Sequence, residues 1–161
     1  MIVSPLRPEL TGDLERLMAL GGPHLRPRTS SDYWLYARLF SSTCPVAFED
    51  GAMAGAVIAF RSQDDPADVY VQDVLTHPDF RRRGVARTLL DSVRARAADW
   101  GCHRLYLTSE PGNFGAHRAW RALGFRNVPG DRDVEGVQVI TDFKGPGRDR
   151  AVYELLADGP P

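Results

Sequence analysis

Residues 74–90, Val-Leu-Thr-His-Pro-Asp-Phe-Arg-Arg-Arg-Gly-Val-Ala-Arg-Thr-Leu-Leu, constrain this chain most, because an apolar strand runs through a basic glycine turn straight into an amphipathic helix. The amides of a helix's first turn have no intrahelical acceptor, and with the helix dipole they attract phosphate oxygens. Gly84 and Ala86 let an anion approach the main chain, while Arg81, Arg82 and Arg83 add charge-assisted donors. A solvated basic helix start carries the same residues, so the reading depends on what surrounds the turn.

The strand leading in covers residues 69–76, is interrupted by Gln72 and Asp73, and ends at His77-Pro78. The helix covers residues 85–100, buries Ala86, Leu89, Leu90, Val93 and Ala97, pairs Arg87 with Asp91 outward, and stops at Gly101. A second strand at 103–109 leads through Pro111-Gly112 into a helix that Asn113 caps and Gly124 ends. Strand, helix, strand, helix in that order implies a parallel pair at the centre of a sheet.

Upstream, residues 2–6 form a short apolar start, and Thr11 opens a capped helix with Leu14, Leu17 and Met18 on one face. Gly21-Gly22-Pro23 stops it. Ser30 or Ser31 caps a second helix with Tyr33, Trp34, Tyr36, Leu39 and Phe40, aromatics that belong to the core or line a pocket. Strands at 45–49 and 53–61 meet at Asp50-Gly51, a tight-hairpin dipeptide. Downstream, 137–143 and 151–156 read as a strand pair around a long loop, and 157–161 as a loose tail after one domain spanning 1–156.

A chain of 161 residues supports one well-buried core, and 20 basic against 21 acidic residues (net charge −1) give no general reason to bind nucleic acid. No apolar run reaches the roughly 18 residues of a membrane span, and the start lacks a signal-peptide pattern, so the expectation is a cytoplasmic protein with no membrane partner. Cys44 and Cys102 stand alone, without metal-ligand spacing, which points to neutral thiols and no metal.

The segment Arg81-x-x-Gly84-x-Ala86 resembles the acetyl-CoA pyrophosphate loop of the GNAT superfamily of N-acetyltransferases. Asn113-x-x-Ala116-x-x-x-Trp120-x-x-x-Gly124-Phe125 is similar to that family's second signature, differing only in carrying Trp120 where the family has tyrosine. The resemblance implies an α/β GNAT fold, with a mixed central sheet of about six to seven strands, a splayed parallel pair and about four flanking helices. It implies acetyl-CoA as acyl donor: Val74, Leu75 and Thr76 pair with its pantetheine arm, the amides of Arg82, Arg83, Gly84, Val85, Ala86 and Arg87 hold its pyrophosphate, and Asn113 and Trp120 sit beside the arm.

Acetyl transfer needs a neutral amine, a polarised thioester and a leaving thiolate. Asp73, on the central strand, resembles an acidic residue of some aminoglycoside-modifying relatives and is the candidate base, acting directly, through water, or by docking an ammonium. Gln72 cannot be a base but can orient a water. Trp120 cannot act as the acid that the family's tyrosine supplies, which leaves water, another donor such as His117 or Ser109, or a noncatalytic acyl-CoA sensor. His117, alone on its helix, reads better as a surface or packing residue.

The first half also resembles the diaminobutyrate acetyltransferases of ectoine synthesis, in Cys44-Pro-Val-Ala-Phe-Glu-Asp-Gly, Ala59-Phe60-Arg61 and Asp65-Pro66-Ala67-Asp68-Val69. That implies a small amino acid or diamine acceptor. Asp64, Asp65 and Asp68 could attract its ammonium, and residues 129–150 could close over a zwitterion. A peptide acceptor and a homodimer stay open.

Overall fold

The computed structural model describes residues 1–158. Its strands are β1 (Ile2–Pro5), β2 (Pro45–Glu49), β3 (Ala52–Arg61), β4 (Asp68–Thr76), β5 (Arg104–Ser109), β6 (Arg126–Asn127), β7 (Arg132–Val134), β8 (Val137–Val139) and β9 (Ala151–Leu156). Its α-helices are α1 (Thr11–Met18), α2 (Ser30–Leu39), α3 (Val85–Asp99) and α4 (Phe114–Ala122). Seven strands form one sheet in the order β1-β2-β3-β4-β5-β9-β6, and β7 and β8 form a separate ribbon.

The sheet has a core on each face. Ala54, Val57, Val69, Val71, Leu105 and Tyr153 pack with Val85, Leu89, Leu90 and Val93 of α3 on one side. Ala56, Ile58 and Leu75 pack with Leu14, Leu17 and Met18 of α1 and Tyr33 and Ala37 of α2 on the other. A helix stripe at 3.6-residue spacing and strands of period two produce this division, since each β-strand alternates its side chains between the faces. Gly55 permits α3 to come close: a Cβ there would stand 2.6 Å from Val85 Cγ1 and 2.9 Å from the Leu75 carbonyl oxygen.

The Asp50-Gly51 hairpin forms as read, with φ of 52° and 78°, values that suit a primed turn and that few residues accept. Other local readings are corrected. Leu10, not Thr11, stands at the N-cap of α1, and the Thr11 hydroxyl donates back to the Pro8 carbonyl. Thr29, not Ser30 or Ser31, caps α2, in a reciprocal capping box with Asp32. Val85 is buried on α3 and Ala86 only partly so. Arg87 does not pair with Asp91; its guanidinium donates to the Ala122 carbonyl at 2.7 Å and ties α3 to the end of α4.

The largest correction is at the C-terminal end. The expected pairing of 137–143 with 151–156 is reduced, among the described residues, to one bridge between Ile140 and Arg150, just outside β8 and β9. Instead β8 turns back on β7, and β9 enters the main sheet between β5 and β6. Ala157, expected in the tail, is buried and its amide donates to the His103 carbonyl at 2.9 Å, while 159–161 lie outside the described residues. No helix among the described residues is long and apolar enough to cross a membrane.

Candidate active site

β4 and β5 are parallel and pair only at Asp68–Arg104, Val69–Leu105 and Tyr70–Tyr106. Beyond Tyr70 the two strands part, so the β5-side edge of residues 71–76, including Val74, Leu75 and Thr76, has no strand partner among the described residues. An open edge of this kind accepts another extended chain as an added strand. At the base of the splay Arg104 holds Asp68 through two hydrogen bonds, at 3.1 and 3.0 Å, and Glu154 of β9 at 2.9 Å. Asp68 is therefore engaged, and with Asp64 and Asp65 it lies at the end of β4 away from the opening, not beside Asp73.

At the far end, β4 passes into the basic turn. Arg82 and Gly84 have φ of 61° and 79°, and a Cβ built on Gly84 meets nothing within 4 Å. Among the described residues the backbone amides of Arg82, Arg83, Gly84, Val85, Ala86 and Arg87 have neither a backbone nor a side-chain acceptor. A concave run of free amides at a helix start is an anion cradle. All three arginines are exposed, but Arg83 pairs with Glu49 at 3.3 Å and lies over the Phe80 ring.

Asn113 caps α4, its Oδ1 accepting from the Ala116 amide at 3.2 Å, which leaves its NH₂ group without a partner among the described residues and able to donate. Trp120 packs on Phe125 and donates its indole N–H to Ser109 Oγ at 2.8 Å. Ser109 ends β5 and is 7% exposed. His117 is a packing residue: buried, stacked on Tyr153, with Nε2 2.9 Å from the Pro111 carbonyl oxygen.

A bulge places Asp73. Ala59 pairs with Val71 and Ile58 with Asp73, so Gln72 is an extra residue in β4. Val69 and Val71 face α3, whereas Leu75 packs toward α1 and α2; Asp73, two residues before Leu75, shares that second face. One oxygen of its carboxylate is buried with no hydrogen-bond partner among the described residues. Burial pushes the Asp73 carboxyl above the usual carboxylate range, and the charges of Arg28 and Lys144 pull it part of the way back. Tyr33, whose hydroxyl accepts from the Arg28 amide at 2.8 Å, feels the Asp73 charge in turn, as does Tyr36. Sequence reading left Arg28 unassigned and reached Lys144 only as one charged residue of the 129–150 segment expected to close over a zwitterion.

A surface depression of about 500 Å³ between Leu39, Phe40, Arg61, Pro66 and Trp100 lies at the opposite end of β4. Its Arg61 guanidinium already donates to the Pro66 and Trp100 carbonyls, so the splay, where free donors and a lone carboxylate converge, is the better candidate.

A sheet with a splayed parallel pair beside a free amide cradle offers an extended edge that ends at an anion site. The chain belongs to the acetyltransferase (GNAT) family, whose model matches residues 13–125. It is 31% identical over 101 residues to the L-2,4-diaminobutyric acid acetyltransferase of Streptomyces avermitilis, covering 62% of this chain and 56% of that protein. The first three curated relatives are spanned over 20%, 56% and 46% of their own lengths. Among solved structures, the diaminobutyrate acetyltransferase of Paenibacillus lautus in complex with L-2,4-diaminobutyric acid and coenzyme A superposes with a TM-score of 0.77 at 19% identity, covering 99% of this chain and 96% of that one. The ribosomal-protein-S18-alanine N-acetyltransferase of Escherichia coli does so with a TM-score of 0.70 at 16% identity, covering 99% and 96%.

Proposed function

We propose that the protein is an N-acetyltransferase that moves the acetyl group of acetyl-CoA to a primary amine of a small molecule by direct attack in a ternary complex. The observation that carries this reading is the meeting, at one splay, of an unpaired β4 edge, the free amides of the Arg82 to Arg87 turn and the lone carboxylate of Asp73. Acetyl-CoA supplies the activated acyl group as a thioester. The turn binds its pyrophosphate, and the main chain of Val74, Leu75 and Thr76 pairs with its pantetheine arm alongside Asn113.

Asp73 faces the acceptor amine. An alkyl ammonium holds its proton to a pKa near 10 and an ordinary carboxyl to about 3.9, so transfer between them is uphill. Burial of Asp73 narrows that gap from one side, and desolvation of the amine narrows it from the other. The amine nitrogen then bonds to the acyl carbon as the carbon–sulfur bond breaks and the thiolate departs. Trp120 cannot protonate that thiolate, but its N–H fills one lone pair of Ser109 Oγ, leaving the serine hydrogen to point elsewhere, toward the sulfur. A thiolate with a pKa near 8.5 needs no full protonation to leave at neutral pH.

A noncatalytic acyl-CoA sensor is the rival reading, favoured by tryptophan at the position of the family's tyrosine. Release of free thiol from acetyl-CoA across amines, amino acids, aminoglycosides and peptides decides between them. Turnover on one acceptor excludes the sensor; tight acetyl-CoA binding with silence over the whole panel excludes the enzyme.

A further inference from the structure

Two cations, Lys144 and Arg28, act on the Asp73 carboxylate beside the splay, and they come from segments far apart in the chain. Lys144 is the only lysine in the sequence. It sits in the loop between β8 and β9, where its amide donates to the Arg148 carbonyl at 3.1 Å, and its ammonium donates to the Tyr70 hydroxyl at 2.9 Å while lying over the Tyr70 ring. Tyr70 is the last residue of β4 paired with β5. It alternates with Val69 and Val71, which face α3, so its side chain lies on the face of Asp73. Lys144 is thereby fixed where the splay opens.

Arg28 approaches from the segment between α1 and α2. Its backbone is held by the Tyr33 hydroxyl, while its guanidinium has no hydrogen-bond or ion-pair partner among the described residues. Both cations are exposed at the rim, whereas the unpartnered Asp73 oxygen is buried. Asp32, whose charge reaches Tyr36, is occupied in the capping box of α2, and Glu15 of α1 reaches Tyr33 as the weakest of the influences on that hydroxyl.

With Asp73 ionised, this group of three carries one net positive charge. A polyamine or an aminoglycoside would bring further cations into it, and the N-terminus of a peptide carries a neutral amide where a free amino acid has its α-carboxylate. An amine with a carboxylate near it matches the pattern, its nitrogen inward at Asp73 and its carboxylate outward between the two cations. The same cations favour the neutral form of the amine, the form that attacks.

Resting on the acetyltransferase reading, we infer that the acceptor is an amino acid or another amine bearing a nearby carboxylate, and that Lys144 and Arg28 are the residues that select for that carboxylate. The test uses matched acceptors, a diamino acid, its carboxamide and the diamine lacking the carboxyl carbon, with thiol release as readout. Calorimetry with acetyl-CoA provides the folding and donor control. The wild type should favour the acid over the carboxamide by about tenfold or more in kcat/KM, the scale of one charge-assisted hydrogen bond. Lys144→Gln and Arg28→Gln should each raise KM for the acid and shrink that preference, with acetyl-CoA affinity kept, and Lys144→Glu should turn the preference toward the diamine. Equal turnover of acid, carboxamide and diamine by the wild type would overturn the inference and leave the transferase reading standing. So would a loss in Lys144→Gln that is the same for all three. Silence toward every acceptor would instead remove the transferase reading, and this inference with it.

Discussion

Replacing Asp73 by asparagine should lower activity and raise stability. The carboxylate has a buried oxygen with no partner, and a buried polar group left unsatisfied costs about 1–3 kcal/mol. Asparagine keeps the shape and removes the charge, which should recover about 1 kcal/mol of that and raise Tm by about 2–4 °C for a chain of this size. The pH dependence has a definite sign. Burial raises the Asp73 pKa in the folded protein, so folding favours the protonated form. The favourable contribution is present at low pH and is lost as pH rises through the folded pKa. Catalysis needs the opposite form, so kcat/KM on the true acceptor should rise with pH through that same region. In Asp73→Asn both trends should vanish together, with kcat/KM down about 10²-fold, or about 2.7 kcal/mol in the barrier. Acetyl-CoA affinity should stay, since Asp73 faces the amine. Thermal melts and pH–rate profiles of both proteins check this. Wild-type kinetics and an unchanged melting curve in the variant would refute it.

At the pyrophosphate turn, Gly84→Val should weaken acetyl-CoA binding in calorimetry by tenfold or more, about 1.4 kcal/mol, because the space over Gly84 is open and the backbone there is left-handed. Gly84→Asn, which accepts that backbone more readily, should fold better, and unchanged affinity in a folded Gly84→Val protein would move the coenzyme elsewhere. Ser109→Ala should lower kcat about tenfold, the loss of one hydrogen bond to a charged leaving atom. Trp120→Tyr should retain or raise turnover while Trp120→Ala lowers it, and full activity in both Ser109→Ala and Trp120→Ala would end the proposed donor role. Arg104→Met strands Asp68, whose side chain is 16% exposed, while Glu154 keeps Arg126 as its partner. Since a buried pair costs about 3–5 kcal/mol to break and this one is partly solvated, about 2 kcal/mol is expected in urea melts.

The turn and cap proposed to hold the coenzyme were legible as structure because their determinants are local: a glycine turn, the helix that follows it, and an asparagine cap that all lie within one strand-helix-strand-helix run. Of the proposed acceptor half, Asp73 and the 129–150 segment that carries Lys144 stood out in the sequence, whereas Arg28 and Tyr33 come under the influence of Asp73 only through tertiary packing. Tyr33 looked like one aromatic among several on α2, and nothing in its neighbours marks its hydroxyl as the anchor of the Arg28 amide. The β7–β8 ribbon was missed for another reason. Its turn is Glu135-Gly136, with φ of 50° and 84°, and glutamate lacks the short polar side chain that makes asparagine or aspartate recognisable in the first left-handed position. With that turn unseen, β8 had no local partner and was assigned to β9.

Gln72 and Asp73 are two adjacent polar residues in an otherwise apolar strand, and regular alternation cannot keep both off the α3 core. If β4 continued without a break, Asp73 would follow Val69 and Val71 onto the face of α3, where a carboxylate without a partner costs several kcal/mol or surrenders its charge. The bulge at Gln72 resolves the conflict by changing the parity of the strand, so that Asp73 turns with Leu75 toward α1 and α2. A bulge also sharpens the local twist and bends the strand that carries it. The pairing of β4 with β5 stops at Tyr70, just ahead of that point. One inserted residue thus accounts both for the opening that would admit a pantetheine arm and for the aim of the Asp73 carboxylate, one oxygen of which is buried without a hydrogen-bond partner among the described residues. Deleting Gln72 should close the first and misdirect the second, so a folded deletion variant should lose acetyl-CoA affinity as well as turnover. Loss of turnover with full acetyl-CoA affinity would separate the two effects and leave the splay to be explained by something other than the bulge.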